Sequence, residues 1–306
     1  PRDNGEADLL MRHADQAMYQ AKQQGKNQYA IFDIVQGEAT IRLQELVANL
    51  RKAIARDELV LHFQPKVNLR TKTLIGVEAL IRWQHPELGL LPPSEFLPPI
   101  AEHPVSIAIG EWVIEHALEQ IEIWSCYGLD MPVSVNIGAY QLLSGAFKLR
   151  LTELLAKHPD VSPGHLELEI LETSALQDLD QVSTLMFDCV NLGVGFALDD
   201  FGTGYSSLTY LKRLPAAVIK IDQSFVRGML EDPNDFAIVV GVVGLAKAFY
   251  RQVIAEGVET AEHGESLLQL GCTLAQGYGI AKPMSARDFL DWAKAWNENN
   301  RSLRSP

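Results

Sequence analysis

Polar and ionisable side chains end a series of short apolar runs in this chain. They are Glu78, Asn136, Glu169, Asp199, Asp200, Lys220, Asp222, Glu256 and Gln276. Carboxylates at this density cannot all ionise without cations, and oxygen ligands suit the hard ions magnesium and manganese. A helix cap or a solvated strand end would explain any one of these residues. Their recurrence at successive run ends instead favours one converging set of ligands.

Phosphodiester hydrolysis is the chemistry that such a set could perform. Two metal ions about 3.5–4 Å apart can activate a water molecule and clamp the phosphate oxygens on which negative charge develops. The ammonium group of Lys220 is a poor metal ligand, so we assign it an electrostatic role toward the water or the transition state.

The elements that must position these residues are strands that alternate with helices. We predict strands at residues 59–69, 74–83, 133–136, 165–169, 194–200, 217–222, 252–256 and 273–276. We predict helices at residues 106–127, 148–158, 178–192, 234–249, 261–270 and 286–297. The short turn at residues 70–73 makes the first two strands antiparallel, whereas the later alternation indicates βαβ units.

About eight strands of this kind predict an α/β fold, a TIM-like (β/α)8 barrel with an antiparallel strand near its start. In such a barrel the carboxyl ends of the parallel strands meet on one face, where the polar residues would converge. An open doubly wound sheet fits the same spacing, because spacing alone does not show closure.

Composition limits the function classes further. The chain has 306 residues, which suits one barrel and a short appendage. Its formal net charge of −13 argues against binding to polymeric nucleic acid, because few cationic groups are in excess to neutralise phosphates. The longest apolar stretch, residues 236–246, is too short to cross a bilayer.

Cellular location is also an expectation from the sequence. The three cysteines lie far apart without CxxC pairing, which predicts a reducing, cytoplasmic setting. No charged-then-apolar leader opens the chain. We expect a segment of a longer protein, which an N-terminal region outside this sequence would tether to a membrane.

A set of motifs in residues 43–295 resembles a single family. The motifs are Gln64-Pro65, Glu78-Ala79-Leu80, His85-Pro86, Pro92-Pro93, Val135-Asn136, and the segments 169–172, 199–207, 220–222, 255–259 and 276–278. The tripeptide Glu78-Ala79-Leu80 is common by chance, but the whole set follows the order of the EAL phosphodiesterases. The chain is identified as a member of that family. The resemblance implies hydrolysis of the bacterial second messenger cyclic di-GMP to linear pGpG with two Mg²⁺ or Mn²⁺ ions, and inhibition by Ca²⁺.

The resemblance also implies a role for each matching residue. The metal ligands would be Glu78, Asn136, Glu169, Asp199, Asp200 and Glu256, with Asp199 shared between the two ions. The catalytic residues would be Glu78, Asp199, Lys220 and Glu256. Substrate would contact Gln64, Arg82, Asp222, Gln276 and Tyr278. Glu172 and Glu259 would hold the loop at residues 199–207, and helices beside that loop would form a homodimer.

The first part of the chain has a resemblance of its own. Residues 14–22 and 25–27 are similar to the last helix and strand of a diguanylate cyclase (GGDEF) domain. No Gly-Gly pair occurs in the chain, so we do not expect cyclic di-GMP synthesis. We assign residues 1–36 to the remnant of that domain with a linker at residues 33–38, and residues 37–306 to the phosphodiesterase domain. An upstream GGDEF or sensor domain is expected in the full-length protein.

Two alternatives to this enzyme remain at this point. One is a cyclic di-GMP receptor that binds without hydrolysis and signals through partner domains. Loss of an acid or of Lys220 would have favoured it. The other is a barrel hydrolase that acts on a different phosphodiester, because convergent acids do not name a substrate.

Overall fold

The computed structural model describes residues 11, 14, 18, 22, 34–175, 178–204 and 208–300. The chain divides into two compact units, Pro1–Arg56 and Asp57–Pro306. None of the helices within these ranges combines the length and apolar character that a bilayer span requires. Most residues of the cyclase-like segments, 14–22 and 25–27, lie outside the described residues.

The first unit contains helix α1, Ile34–Ala55. This helix includes residues 34–38 of the predicted linker, and the linker itself stays a prediction. Leu43, Leu46, Val47 and Leu50 stand at positions i, i+3, i+4 and i+7, the spacing that favours a helix. The assignment of residues 1–36 to a separate domain stays a prediction.

The second unit alternates strands and helices. Its strands are β1 Leu59–Asn68, β2 Thr73–His85, β3 Gly89–Leu91, β4 Val133–Asn136, β5 Leu166–Leu171, β6 Gly195–Phe201, β7 Val218–Ile221, β8 Gln252–Ala255, β9 Leu274–Ala275 and β10 Met284–Ser285. Its helices are α2 Pro93–Phe96, α3 Val105–Ser125, α4 Ala139–Leu142, α5 Phe147–Lys157, α6 Glu172–Ala175, α7 Leu179–Asn191, α8 Leu208–Arg213, α9 Gln223–Gly228, α10 Pro233–Ala248, α11 Ala261–Leu270 and α12 Ala286–Asn299. Short 3-10 turns occur at Pro98–Ile100 and Pro163–His165.

The sheet closes into a barrel through β1. Strand β1 pairs antiparallel with β2 on one side and with β9 on the other. The remaining neighbours, from β2 through β4, β5, β6, β7 and β8 to β9, are parallel. This is the predicted TIM-like barrel with an antiparallel strand near its start, and the open doubly wound sheet is wrong. Strands β3 and β10 extend it at its edges.

A layer of apolar side chains lies inside the barrel, beneath the polar residues of the carboxyl-end face. Ala197, Val218 and Ile254 form a buried apolar cluster against which Leu274 packs. Each of them lies two residues before one of the polar residues at the strand ends, and a strand repeats its facing every two residues. The polar layer therefore rests on an apolar layer along β6 to β9.

Local capping sets the helix boundaries around this barrel. At α11, the Thr260 side chain accepts a hydrogen bond from the His263 backbone N–H, and Gly271 follows the helix at φ +87°. Asp178, Asp232 and Ser285 cap α7, α10 and α12 in the same way. Such caps satisfy N–H groups that the first helical turn leaves unpaired.

Candidate functional site

Lys220 lies at the centre of the residues that the strand ends bring together. Its side chain is fully buried. Its Nζ atom lies near four carboxylates: Glu169 Oε2 at 2.5 Å, Glu256 Oε1 at 2.6 Å, Asp199 Oδ1 at 3.1 Å and Glu78 Oε2 at 3.5 Å. Glu78, Glu169 and Asp199 lie within β2, β5 and β6, and Glu256 directly follows β8. Closure of the barrel is what makes these four acids neighbours.

Amide side chains complete the polar layer around Glu78. Asn136 Nδ2 donates to Glu78 Oε1 at 2.7 Å, and Gln276 Nε2 donates to Glu78 Oε2 at 2.6 Å and to Gln64 Oε1 at 3.0 Å. Because the Asn136 nitrogen is engaged as a donor, its carbonyl oxygen is the atom that can bind a cation. Gln276 Oε1 is buried without a hydrogen-bond partner among the described residues.

A bulge at the end of β6 lets two consecutive aspartates serve one site. The pairing of β6 with β7 shifts register between Leu198 and Phe201, and Asp200 has φ +53°. Successive side chains of a regular strand face opposite sides, whereas a bulge re-aims them. Asp199, Asp200 and Glu256 thereby place one carboxylate oxygen each within 4.8 Å of one another. This all-oxygen set fits a hard divalent cation such as Mg²⁺ or Mn²⁺.

Crowding of negative charge shifts the pKa values of these acids. Burial raises the pKa of Glu78 and that of Glu256, and neighbouring carboxylates add to both shifts. Burial and the Asp199 carboxylate raise the pKa of Asp200 to about 7. Burial also opposes the charge of Glu169, but Lys220 and Lys66 outweigh it and lower its pKa to about 2. Three of the acids thus resist ionisation, because burial and neighbouring carboxylates both disfavour their charged forms.

The raised pKa of Asp200 predicts how the stability of the metal-free protein depends on pH. An acid whose pKa is higher in the folded state loses stability as pH rises from the unfolded value, 3.8, to the folded value, about 7. Glu169 acts in the opposite sense, but only below its ordinary value of 4.5. We expect the melting temperature in chelator to fall more steeply from about pH 5 to about pH 7 for wild type than for Asp200→Asn. Equal slopes in calorimetry would contradict this assignment.

A second buried lysine, which the sequence analysis missed, lies beneath the acids. Lys66 Nζ donates to Ser134 Oγ at 2.5 Å, to Glu169 Oε1 at 2.6 Å and to Glu167 Oε1 at 3.2 Å. Burial lowers the pKa of Lys66, but Glu169 and Glu167 outweigh this effect and raise it. Lys66 ends no apolar run, so the criterion that found the other residues passes over it. Its spacing of two from Gln64 on β1 was the available signal.

The residues expected to contact substrate lie around this cluster in different settings. Arg82 is half-buried and donates from Nη1 to the Ile81 carbonyl oxygen at 2.8 Å. Burial lowers the pKa of Arg82, and nearby Tyr278 and Glu78 partly offset this lowering. Tyr278 is 54% exposed, with Lys282 Nζ 5.6 Å from the centre of its ring. These side chains could reach a ligand at the strand ends.

Asp222 has a structural partner that the sequence analysis did not foresee. Its Oδ1 atom accepts hydrogen bonds from the backbone N–H and the hydroxyl of Ser224. Asp222 is thereby the N-terminal cap of α9. The Asp222 carboxyl group also contributes to the raised pKa of Asp200. A contact of Asp222 with substrate stays a prediction.

The two acids predicted to hold the loop after Asp200 differ in their settings. Glu172 is fully buried, and its Oε2 accepts from the Gly202 backbone N–H at 2.9 Å. Glu259 instead has a 45% exposed side chain, and its described partner is Arg227, with Nε 2.7 Å from Oε1. Tyr205, Ser206 and Ser207 of that loop lie outside the described residues.

A cavity of about 980 Å³ opens beside the acid cluster. Asn136 and Glu169 line it together with apolar side chains from β2, α3 and the segment after β4. A mostly apolar cavity with a small number of polar groups is typical of small-molecule sites.

Comparison with known proteins places the chain in a family. The model of the EAL domain matches residues 47–283. The bifunctional diguanylate cyclase/cyclic di-GMP phosphodiesterase MucR of Pseudomonas aeruginosa is 40% identical over 291 residues, covering 95% of this chain and 42% of that protein. Cyclic di-GMP phosphodiesterase PdeR of Escherichia coli is 37% identical over 297 residues, covering 97% of this chain and 44% of that protein.

Solved structures agree with the sequence comparison. A structure described as the PaMucR phosphodiesterase in complex with c-di-GMP has a TM-score of 0.77 and 41% identity, covering 80% of this chain and 99% of that one. The chain therefore belongs to the EAL domain family, whose fold is a TIM-like barrel. It spans less than half the length of the curated relatives described above.

Proposed function

We propose that this chain is a metal-dependent phosphodiesterase that hydrolyses cyclic di-GMP to linear pGpG in bacterial second-messenger signalling. The observation that carries the proposal is the convergence of Glu78, Glu169, Asp199 and Glu256 on the buried Lys220. All the family residues that we expected to act are present. Relatives named as cyclic di-GMP phosphodiesterases support the choice of substrate.

The acids and amides would hold two divalent cations. Glu78, Asn136, Glu169 and Asp199 would hold one ion, and Asp200, Glu256 and the shared Asp199 the other. The bound ions would supply a lower pKa for the attacking water and neutralise charge on the phosphate oxygens.

Lys220 supplies the part of the chemistry that belongs to the chain itself. Its ammonium group is fixed by four carboxylates and excluded from solvent, so no reorganisation is needed when charge develops on phosphate. Lys220 would orient the attacking water and stabilise that charge. Glu78, Asp199 and Glu256, the other catalytic residues, hold its position.

Substrate would lie across the strand ends, with the cavity beside Asn136 extending its site. Arg82 would contact a phosphate or a base, because a guanidinium group presents several donors at once. Gln64, Gln276 and Tyr278 would add polar and ring contacts, and Asp222 would meet a guanine edge. Gln276 Oε1, which lacks a described partner, could accept from the substrate.

A chelation experiment tests the proposed reaction. The purified chain should form pGpG from cyclic di-GMP with Mg²⁺ or Mn²⁺, lose that activity in excess chelator and recover it on metal addition. Ca²⁺ should inhibit, because its looser and higher coordination does not provide the required geometry. Product chromatography measures the outcome, and full activity in excess chelator would rule out the metal-dependent mechanism.

Support of the loop after Asp200 is proposed for Glu172 and Glu259. The hydrogen bond from the Gly202 N–H to Glu172 favours this role, since Gly202 has φ +104° and would not hold that shape alone. Glu259 would act through Arg227 on α9.

A homodimer is proposed through the helices beside this loop. A Cβ atom at Gly202 would lie 3.1 Å from Phe225 of α9 and 3.4 Å from Ile238 of α10, so both helices adjoin the loop. Phe236 and Val240 of α10 are 38% and 41% exposed, which leaves apolar surface for a second copy to cover. Sedimentation should find dimers of wild type and monomers of Val240→Glu, whereas Val190→Glu on α7 should stay dimeric. An upstream GGDEF or sensor domain and a cytoplasmic location stay predictions.

A further inference from the structure

Glu169 forms ion pairs with two lysines that come from opposite parts of the barrel. Its Oε2 atom contacts Lys220 of β7 at 2.5 Å, and its Oε1 atom contacts Lys66 of β1 at 2.6 Å. A carboxylate held at one oxygen can still rotate about its last bond, whereas one held at both oxygens cannot. The orientation of the Glu169 carboxylate is therefore fixed only when both lysines are present.

Lys66 lies in the layer beneath the proposed metal site. It is 3% exposed, and its three partners all lie inside the barrel. Ser134 and Glu167 precede Asn136 and Glu169 by two residues, so each pair shares a facing on β4 and β5. Along β4 and β5 the lower layer is thus polar, whereas along β6 to β9 it is apolar. The polar part surrounds Lys66.

We propose that Lys66 is a positioning residue that holds the Glu169 carboxylate oriented to bind a divalent cation. The inference deepens the proposed function and relies on Glu169 being one of its metal ligands. Lys66 itself touches neither the cation nor the substrate. Partners that orient a metal ligand from outside commonly change metal affinity or activity by about 10–100-fold when they are removed.

A purely structural role makes a different prediction. In that case Lys66 would serve only to neutralise the partly buried Glu167 carboxylate, 3.2 Å away, and removal of both charges would be harmless. The double variant Lys66→Met/Glu167→Gln separates these roles, because its net charge equals that of wild type. The long-range attraction of the protein for a cation is then the same as in wild type, and the ion pair between Lys66 and Glu169 is lost.

The first measurement is calorimetric titration of the metal-free proteins with Mn²⁺ alone. Glu167→Gln is the matched control, because Gln keeps a carbonyl oxygen that can accept from Ser134 and Lys66. We expect the double variant to bind Mn²⁺ about 10–100-fold more weakly than wild type, whose net charge it shares, and more weakly than this control. Equal Mn²⁺ affinities of the double variant and wild type would overturn the proposal.

A milder variant covers the case in which the double variant does not fold. Ser134→Ala leaves every charge in place but removes the hydroxyl that meets Lys66 at 2.5 Å. We expect a loss of Mn²⁺ affinity of about 2–10-fold, because the lost hydrogen bond supports Lys66 and acts on the cation only through Glu169. Unchanged affinity in Ser134→Ala, with the double variant unfolded, would also overturn the proposal.

The second measurement is turnover of cyclic di-GMP at saturating Mg²⁺. A poorly oriented Glu169 should lower kcat of the double variant relative to Glu167→Gln, while KM changes little. A higher KM of the double variant with an unchanged kcat would contradict the positioning role. If wild type forms no pGpG, the proposed function fails, but the Mn²⁺ titrations still decide whether Lys66 orients Glu169.

Discussion

Replacing Lys220 with methionine should lower the turnover of cyclic di-GMP by about 10²–10³-fold, because a preorganised charge is lost from the transition state. Binding of the substrate should persist, since the metal ligands and Arg82 remain. Calorimetry with Ca²⁺ present to suppress hydrolysis measures binding, and a pGpG assay with Mg²⁺ measures turnover. Equal losses of both would mean that Lys220 holds substrate and is not specific to the transition state.

The same variant should have a large effect on metal-free stability. Removing one partner of a buried ion pair costs about 3–5 kcal/mol, and four carboxylates lose Lys220 together. Lys148→Met is the matched control, because Lys148 pairs with Asp188 at the surface. The control should change stability by less than about 0.5 kcal/mol. Denaturant titration in chelator compares the two, and similar losses would contradict the buried network.

Replacing Asp199 with asparagine should have opposite effects on activity and stability. We expect turnover to fall by about 10³-fold or more, because the proposed bridge between the two cations loses its charge. The metal-free protein should melt at the same or a higher temperature, because one of several crowded carboxylates is gone. A marked fall in its melting temperature would favour a structural role for Asp199.

Asp188→Asn serves as a control for the Asp199 variant. Asp188 lies on α7 and pairs with Lys148 at 3.0 Å, away from the strand ends. The control should keep wild-type turnover and wild-type response to Mg²⁺. The difference between the two variants then reports the position of Asp199 at the end of β6, since the chemical change is the same.

Local signals made much of the barrel predictable from the sequence. Helix α11 occupies the predicted residues 261–270, because Thr260 caps its start and Gly271 ends it. The strand β4 likewise matches its predicted residues 133–136. Closure was harder to foresee, because it depends on the pairing of β1 with β9 some 200 residues further along. No local pattern distinguishes that pairing from an open sheet.

The details of the site depend on contacts that no single motif contains. The bulge that turns Asp199 and Asp200 toward the same side is a register shift between β6 and β7. Lys66 becomes a neighbour of Glu169 only because β1 runs antiparallel inside the closed barrel. Asp222 looks in sequence like a substrate ligand, yet Ser224 gives its carboxylate a capping role. Residue type predicted which groups converge, whereas the partners of each group follow from tertiary structure.

One measurement tests most directly whether this site is an enzyme or a receptor. Wild-type protein would first be titrated with cyclic di-GMP in Ca²⁺, and Mg²⁺ would then replace Ca²⁺ in the same sample before the nucleotide is analysed. We expect saturable binding in Ca²⁺ without product, followed by conversion to pGpG in Mg²⁺. Binding under both conditions with no pGpG in either would contradict this expectation and would identify the chain as a receptor.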